Sequence, residues 1–286
     1  MKLRRFLYGA LLTLQAGLVL TGGAVRITGS GLGCPTWPEC TPGSYTPVPH
    51  QAEGQLHAWI EFGNRLLTFA LVAVALAVLI NVLYRGRRDL RSLALGQVLG
   101  IFGQGILGGI TVLTDLHPLP VAGHLLLSII LIAGAASLYS RREYSVRPRT
   151  DLDKLTKRVS VLHIGLTFVV IILGTIVTGS GPHAGDEKAQ RFGFDIRTVS
   201  WLHADAVIAL LGLTTAYYIL ARNDPQLLRR VQVFLIVALA QGAIGYIQYF
   251  TGIPEILVAA HLLGATLVWI AAWRIRIAVT KTLISK

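Results

Sequence analysis

The stretch QGILGGITVLTDLHPLPVAGHLL, residues 104–126, returns without a gap as QGAIGYIQYFTGIPEILVAAHLL at residues 241–263. The two copies share a glutamine and two glycines at matching positions, and both end in a Val-Ala and a His-Leu-Leu run. A shorter match joins RITGSG (26–31) to TIVTGSG (175–181). A match this long and ungapped predicts that the chain contains two copies of one structural unit.

The composition places the chain among integral membrane proteins. Hydrophobic residues make up 53% of the sequence and charged residues 14%, whereas about 25% of the residues in a soluble domain are charged. A membrane-spanning helix needs about 20 predominantly apolar residues, and the sequence contains eight such stretches. They cover residues 6–25, 59–83, 92–113, 121–140, 158–178, 200–221, 230–250 and 256–277.

The basic residues give the orientation of these spans. Of the 26 Lys and Arg residues, 21 lie in the two terminal segments and in every second loop. Short loops rich in Lys and Arg stay in the cytoplasm, so we predict a multi-pass membrane protein with both termini cytoplasmic. The net charge of +12 then belongs to solvated loops, and we expect no nucleic-acid partner.

Each copy of the repeat contains an even number of spans, so the two copies share one orientation in the membrane. Parallel repeats of this kind are related by an axis along the membrane normal. We therefore predict an all-α integral membrane protein whose eight transmembrane helices form two pseudo-twofold-related four-helix bundles. The bundles are expected at residues 1–145 and 146–286.

Three histidines are expected at one depth, near the outer face of the membrane. His124 and His261 start the fourth and eighth spans, and His203 starts the sixth. A single histidine there is commonly an interfacial or hydrogen-bonded residue, but two imidazoles facing each other across a four-helix core suit axial ligation of haem iron. We predict that His203 and His261 bind haem; a zinc site would need a third or fourth ligand.

The first half offers two candidates for the position that corresponds to His203. The local frame LHA equates it with His57, whereas spacing favours Asn64. Asn64 lies 60 residues before His124, close to the 58 residues between His203 and His261, and His57 lies 67 residues before it. Asparagine is a poor ligand for iron, so the first half is expected to bind its ligand less tightly than the second half does.

Charged residues accompany this first-half position. Glu61 lies one turn after His57, where a carboxylate could move protons or stabilise positive charge on a substrate. The alternative for Glu61 is an i,i+4 ion pair with Arg65, and both roles are compatible. Arg65 and Arg26 are candidates to bind the carboxylates of a ligand at the outer rim.

The two cysteines, Cys34 and Cys40, are separated by five intervening residues in a loop on the predicted outer side. Disulfides persist outside the cytoplasm. A structural disulfide is the main interpretation, and a reversible redox pair is the alternative.

Several motifs together resemble the haem A synthase family. They are TGSGLGCPTWPEC (28–40), IEFGNRLL (60–67), TGSGPHAGD (178–186) and the repeated HLL and WLHA frames. Members of that family oxidise a ring methyl of haem O to a formyl group, giving haem A for terminal oxidases. The resemblance covers nearly the whole chain. The cysteine pair in the first outer loop is similar to that of the bacterial type of the family, which implies a location in the bacterial plasma membrane.

The resemblance implies a role for each half. Haem b is expected as a cofactor on His203 and His261, and haem O as the substrate in the first half. Family members have a histidine where this chain has Asn64, three residues after a glutamate that matches Glu61. Either His57 replaces that histidine, or His124 is the one protein ligand of the substrate iron.

The resemblance also implies partners. These are haem O itself, the membrane lipid around its isoprenoid tail, haem O synthase, assembly factors of terminal oxidases, and a second copy of the chain. A non-catalytic membrane dihaem b-type electron-transfer cytochrome is the alternative function, and a transporter with histidines in a proton path is a third.

Overall fold

The structure is a computed structural model that describes residues 2–285. Eight helices follow one another along this part of the chain, and each is long and apolar enough to cross a membrane. The predicted eight-span, all-α membrane fold is confirmed. The helices are α1 (Lys2–Ile27), α2 (Gln55–Tyr84), α3 (Arg88–Leu113), α4 (Pro118–Arg141), α5 (Lys154–Ser180), α6 (Ile196–Ala221), α7 (Pro225–Phe250) and α8 (Glu255–Thr280).

Two short strands accompany the helices. Strand β1 (Tyr144–Pro148) follows α4, strand β2 (Lys281–Ser285) follows α8, and the two pair antiparallel. This pairing connects the segment that follows α4 to the segment that follows α8 through backbone hydrogen bonds.

Side-chain caps define where the helices of the second half begin. Asp153, Asp195 and Asp224 precede α5, α6 and α7, and each side chain accepts a hydrogen bond from a backbone N–H of the first turn. These N–H groups have no partner inside the helix. Between α2 and α3, Gly86 adopts a positive φ of 63°, which allows the tight turn.

The helices pack in the same way in both halves of the sequence. In the first half, α1 and α3 each contact both α2 and α4; in the second half, α5 and α7 each contact both α6 and α8. Contacts between the halves join α1 to α8, α4 to α5, and α4 to α8. Two four-helix bundles with a twofold axis between α4 and α8 would make these contacts, and the symmetry itself stays a prediction.

The tightly packed core of each half lies toward the end of the helices predicted to be cytoplasmic. In α4, residues 121–128 are all half-buried, whereas most residues from 131 to 138 are buried. In α8, the buried residues likewise begin at Thr266, one and a half turns after His261. The histidines at the predicted outer level therefore lie in the less tightly packed part of each half.

A third apolar cluster joins the two halves. It is centred on Trp269 of α8, whose indole N–H donates to the backbone carbonyl of Ile129 in α4 at 2.7 Å. One turn further, Trp273 donates to the Ser137 hydroxyl at 2.8 Å. Because both donors are satisfied across the interface, the halves are held by directed contacts as well as by apolar packing.

Candidate functional site

His203 and His261 face each other between α6 and α8. Their ring centres are 6.4 Å apart and their planes are inclined by 66°. Two imidazole–metal bonds of about 2 Å in line put ring centres about 6 Å apart, so the observed spacing fits one metal ion between the rings. No cluster of three or more His, Cys, Asp or Glu side chains suited to a metal ion occurs within residues 2–285.

Glycines on the neighbouring helices seat these two rings. A Cβ atom on Gly245 of α7 would lie 2.9 Å from Cε1 of His261, and one on Gly174 of α5 would lie 3.4 Å from Cε1 of His203. Each ring therefore rests against bare backbone, with Cε1 and Nδ1 as its closest atoms. This arrangement leaves Nε2 as the nitrogen available to a ligand.

The Nδ1 atoms support the same interpretation. Nδ1 of His261 is buried and has no hydrogen-bond partner within the described chain. Nδ1 of His203 is likewise buried and has no hydrogen-bond partner within residues 2–285. The residues present therefore fit a haem held by these two side chains.

His124 of α4 repeats the arrangement of His261 in the first half. Its Cε1 would lie 3.3 Å from a Cβ on Gly108, and its Nδ1 is buried without a partner in the described chain. Gln104 donates to the backbone carbonyl of His124 at 3.1 Å, as Gln241 does to that of His261 at 2.8 Å. The repeat seen in the sequence therefore extends to individual contacts.

Asn64, rather than His57, occupies the position in the first half that corresponds to His203 in the second half. Its amide Nδ2 lies 3.9 Å from the position of a Cβ on Gly22, and its Oδ1 accepts a 2.7 Å hydrogen bond from Thr21. The sequence contained no signal for Thr21. His57 instead has its Nδ1 at 2.8 Å from the Ser30 hydroxyl, in the loop that follows α1.

Glu61 and Arg65 form the i,i+4 ion pair that the sequence offered as one alternative. The Glu61 side chain is buried, and its Oε1 accepts from Arg65 at 2.6 Å. Its other oxygen, Oε2, accepts from the backbone N–H of Cys34 at 2.7 Å. Glu61 thus ties the second helix to the loop between α1 and α2.

Arg65 holds the same loop through its carbonyl groups. Its guanidinium donates to the carbonyls of Cys34, Thr36 and Glu39 at 3.0 to 3.2 Å, and to that of Pro38 at 3.5 Å. With the Glu61 contacts, all five N–H groups are directed at protein acceptors.

Cys34 and Cys40 form a disulfide, as predicted. Both residues are buried, and the amide of Gln51 donates to the carbonyl of Gly33 beside them. The disulfide loop lies directly over the start of α2, because the backbone of His57 closely approaches Gly33.

Arg26 lies where α1 ends, at the contact between the two halves. It donates to the carbonyl of Thr178 at the end of α5 at 2.5 Å. Its Nε is buried and has no partner within residues 2–285. Nearby, the backbone N–H of Gly31 donates to Gly185 at 2.8 Å and joins the predicted outer loops of the two halves.

His163, in the part of α5 near the predicted cytoplasmic side, has a packing role. His163 is buried among Tyr217 and Phe234, with its Nε2 at 3.2 Å from the Thr214 hydroxyl.

Three of the known proteins that this chain resembles are named heme A synthase. The chain is 29% identical to the heme A synthase of Bradyrhizobium sp. strain BTAi1 over 204 aligned positions, which cover 59% of this chain and 56% of that protein. It is 30% identical to the heme A synthase of Shewanella oneidensis over 176 positions, covering 57% and 51%. The chain thus spans about half the length of these two curated relatives.

A longer alignment exists with the heme A synthase of Azorhizobium caulinodans. It is 28% identical over 314 positions and covers 89% of this chain and 88% of that protein. The family described as cytochrome oxidase assembly protein matches residues 4–273, nearly the whole chain. The chain belongs to this family, and it is a multi-pass membrane protein.

Proposed function

We propose that this chain is a haem A synthase, which oxidises a ring methyl of haem O to a formyl group. The observation that carries the proposal is the His203–His261 pair with ring centres 6.4 Å apart, together with a third histidine, His124, seated on a glycine in the same way in the other half. Membership of the family and relatives named heme A synthase favour this function over an electron-transfer cytochrome.

The two halves have separate roles in this proposal. His203 and His261, in residues 146–286, would hold haem b, and residues 1–145 would receive haem O, with His124 as a ligand. When bound, haem b supplies one-electron transfer. The glycines beside the two histidines fix the ring positions, so the protein contributes a rigid ligand pair on that side.

Glu61 is proposed as the acidic group of the substrate half. An ionised carboxylate has about four lone-pair sites, and its contacts with Cys34 and Arg65 use three of them. The remaining site could accept a proton or stabilise positive charge that develops on the substrate. Because Arg65 and the loop fix the carboxylate, Glu61 would act from one defined position.

Arg26 is proposed to bind a haem propionate, since its buried Nε has no partner in the described chain. Guanidinium groups pair well with carboxylates. Arg65 could join it only by releasing a loop carbonyl or Glu61. The disulfide of Cys34 and Cys40 either stiffens the loop over the substrate half or relays redox equivalents.

The cellular setting is proposed from the charge distribution. Basic segments at both ends place the termini in the cytoplasm, and the histidine level then lies near the outer face of a bacterial plasma membrane. Haem O would enter between helices with its isoprenoid tail in lipid. Haem O synthase, oxidase assembly factors and a second copy of the chain are the proposed protein partners.

The proposal is tested by producing the chain in a host that makes haem O but no haem A, and by extracting the pigments. We expect haem A to form with the wild-type chain and to be lost with His203→Ala and His261→Ala. Glu61→Gln should lower the yield of haem A at unchanged protein level, because the substitution removes the charge and keeps the shape.

His50→Ala is the matched control, since His50 is exposed in the loop before α2. It should leave the haem A yield unchanged. Purified protein that contains haem but never yields haem A would favour the electron-transfer cytochrome, and colourless protein would favour the transporter. An unchanged yield with Glu61→Gln would remove Glu61 from catalysis.

A further inference from the structure

A glycine on the first helix of each helical hairpin lies beside a polar side chain on the second helix. In three hairpins that side chain is a histidine whose Cε1 lies within 3.4 Å of the position of a glycine Cβ. In the hairpin of α1 and α2 the side chain is an asparagine, with its Nδ2 at 3.9 Å. The pairs are Gly22 with Asn64, Gly108 with His124, Gly174 with His203, and Gly245 with His261.

The side chain of Asn64 has a defined orientation. The Thr21 hydroxyl donates to Oδ1 at 2.7 Å, which fixes the amide plane. No hydrogen bond from Nδ2 is formed within the described chain. An amide nitrogen is a hydrogen-bond donor and not a metal ligand. Asn64 therefore presents free donor hydrogens at a place where the second half presents an imidazole.

His57 does not occupy this place. It lies seven residues before Asn64 on α2, which is about 10 Å along the helix axis. Its Nδ1 is bonded to Ser30 at 2.8 Å, and its backbone closely approaches Gly33. These contacts hold His57 against the loop outside the level of the other histidines.

We propose that Asn64 makes the first-half site a one-imidazole site. His124 ligates the substrate iron from one side, and the opposite side is open to a small external molecule, to which the Asn64 amide donates a hydrogen bond. Donors and steric access on the open side of a haem decide between ligand binding and electron transfer. The inference rests on the proposed function, because it assumes haem O in the first half.

The asymmetry gives each half a distinct chemistry. In the second half two imidazoles close both sides of the iron, so that site can transfer electrons but offers no place for a further ligand. In the first half the replacement of an imidazole by Asn64 leaves room next to the porphyrin whose methyl group is to be oxidised. Thr21 is a positioning residue, because it acts only through Asn64.

Carbon monoxide and cyanide are suitable probes, because each binds weakly where it must first displace one of two imidazoles from the iron. The full-length protein, purified with haem in both halves, is reduced and titrated with carbon monoxide, and the oxidised protein is titrated with cyanide. We expect about half of the haem in the wild-type protein to bind each probe and to be high-spin before addition.

Variants of Asn64 distinguish the two parts of the proposal. Asn64→His should convert the first-half haem to low spin and weaken carbon monoxide binding at least tenfold. Asn64→Ala should keep the site open but speed cyanide dissociation several-fold, since the donor is lost. Thr21→Val should have a smaller effect in the same direction. Asn81→Ala, on the inner part of α2, is the control and should change neither titration.

Three results would overturn the proposal. The first is wild-type protein with both haems low-spin and unreactive, made reactive by His57→Ala, which would identify His57 as the second ligand. The second is unreactive wild-type protein whatever residue stands at 57. The third is Asn64→His protein that binds carbon monoxide like the wild type. If haem A forms while these results hold, this inference alone fails; if no haem A forms, the proposed function fails.

Discussion

Gly245 sets how closely α7 and α8 approach beside His261. A methyl group there would lie 2.9 Å from Cε1 of the imidazole, closer than unbonded carbon atoms come. Either the ring or the helix would have to move, and axial ligation depends on the position of the ring. The corresponding distance at Gly174 is 3.4 Å, which is an ordinary contact. An added methyl group should therefore disturb the His203 ring less than the His261 ring.

We therefore expect Gly245→Ala to lower the haem content per protein of the second half by more than half, and Gly174→Ala to lower it less. The measurement is the ratio of low-spin haem absorbance to protein. Gly242→Ala is the matched control, because it lies on the same helix with no atom within 4 Å of the added methyl group. Equal haem loss in Gly242→Ala and Gly245→Ala would show that contact with His261 does not explain the effect.

At the scale of the element, α2 and the disulfide loop behave as one unit. Arg65 donates hydrogen bonds to four carbonyl groups of the loop, and Glu61 accepts a hydrogen bond from the backbone N–H of Cys34. Hydrogen bonds to an ionised partner contribute about 1.5–3 kcal/mol each. The loop over the proposed substrate half is therefore fixed mainly by one turn of α2.

Arg65→Lys should loosen this loop, because an ammonium group has three donors where the guanidinium has five in a planar fork. We expect mild reductant to open the Cys34–Cys40 bond several-fold faster in this variant, measured by thiol labelling over time. Arg197→Lys, at an exposed position at the start of α6, is the control. A labelling rate equal to that of the wild type would mean that the loop does not depend on Arg65.

At the scale of the whole molecule, the contact between the halves decides whether two bundles behave as one protein. Trp269 and Trp273 of α8 both donate to groups on α4 across this contact. Apolar surface alone distinguishes poorly between a neighbouring helix and lipid. Directed indole bonds therefore give the interface a specificity that packing would not.

Trp269→Phe should lower the free energy of unfolding by about 1–3 kcal/mol, since it removes the bond to Ile129 and part of the buried ring. The measurement is thermal unfolding in detergent, followed by haem absorbance. Trp201→Phe is the control because Trp201 is largely exposed at the protein surface. A similar loss in both variants would show that any Trp→Phe change has this cost.

The eight spans, the duplication and the disulfide could be predicted because each depends on local information. Span length reflects the thickness of the bilayer, the repeat is visible as ungapped identity, and Cys34 and Cys40 are close along the chain. The common depth of His124, His203 and His261 also follows from their places at the starts of spans. The sequence left His57 and Asn64 as alternatives, since counting residues gives depth but not rotation about the helix axis.

The sequence by itself therefore determined which segments are long and apolar enough to cross the membrane, that the sequence is repeated, and that three of the histidines lie near the starts of such segments. Only the tertiary structure decided which side chains meet: His203 with His261, Asn64 with Thr21, and Arg65 with four loop carbonyls. The physical reason is that these helices are apolar on nearly all sides, because one side meets lipid and another meets protein. Their hydrophobic pattern does not mark the inward face, and contacts between distant segments fix the rotation of each helix.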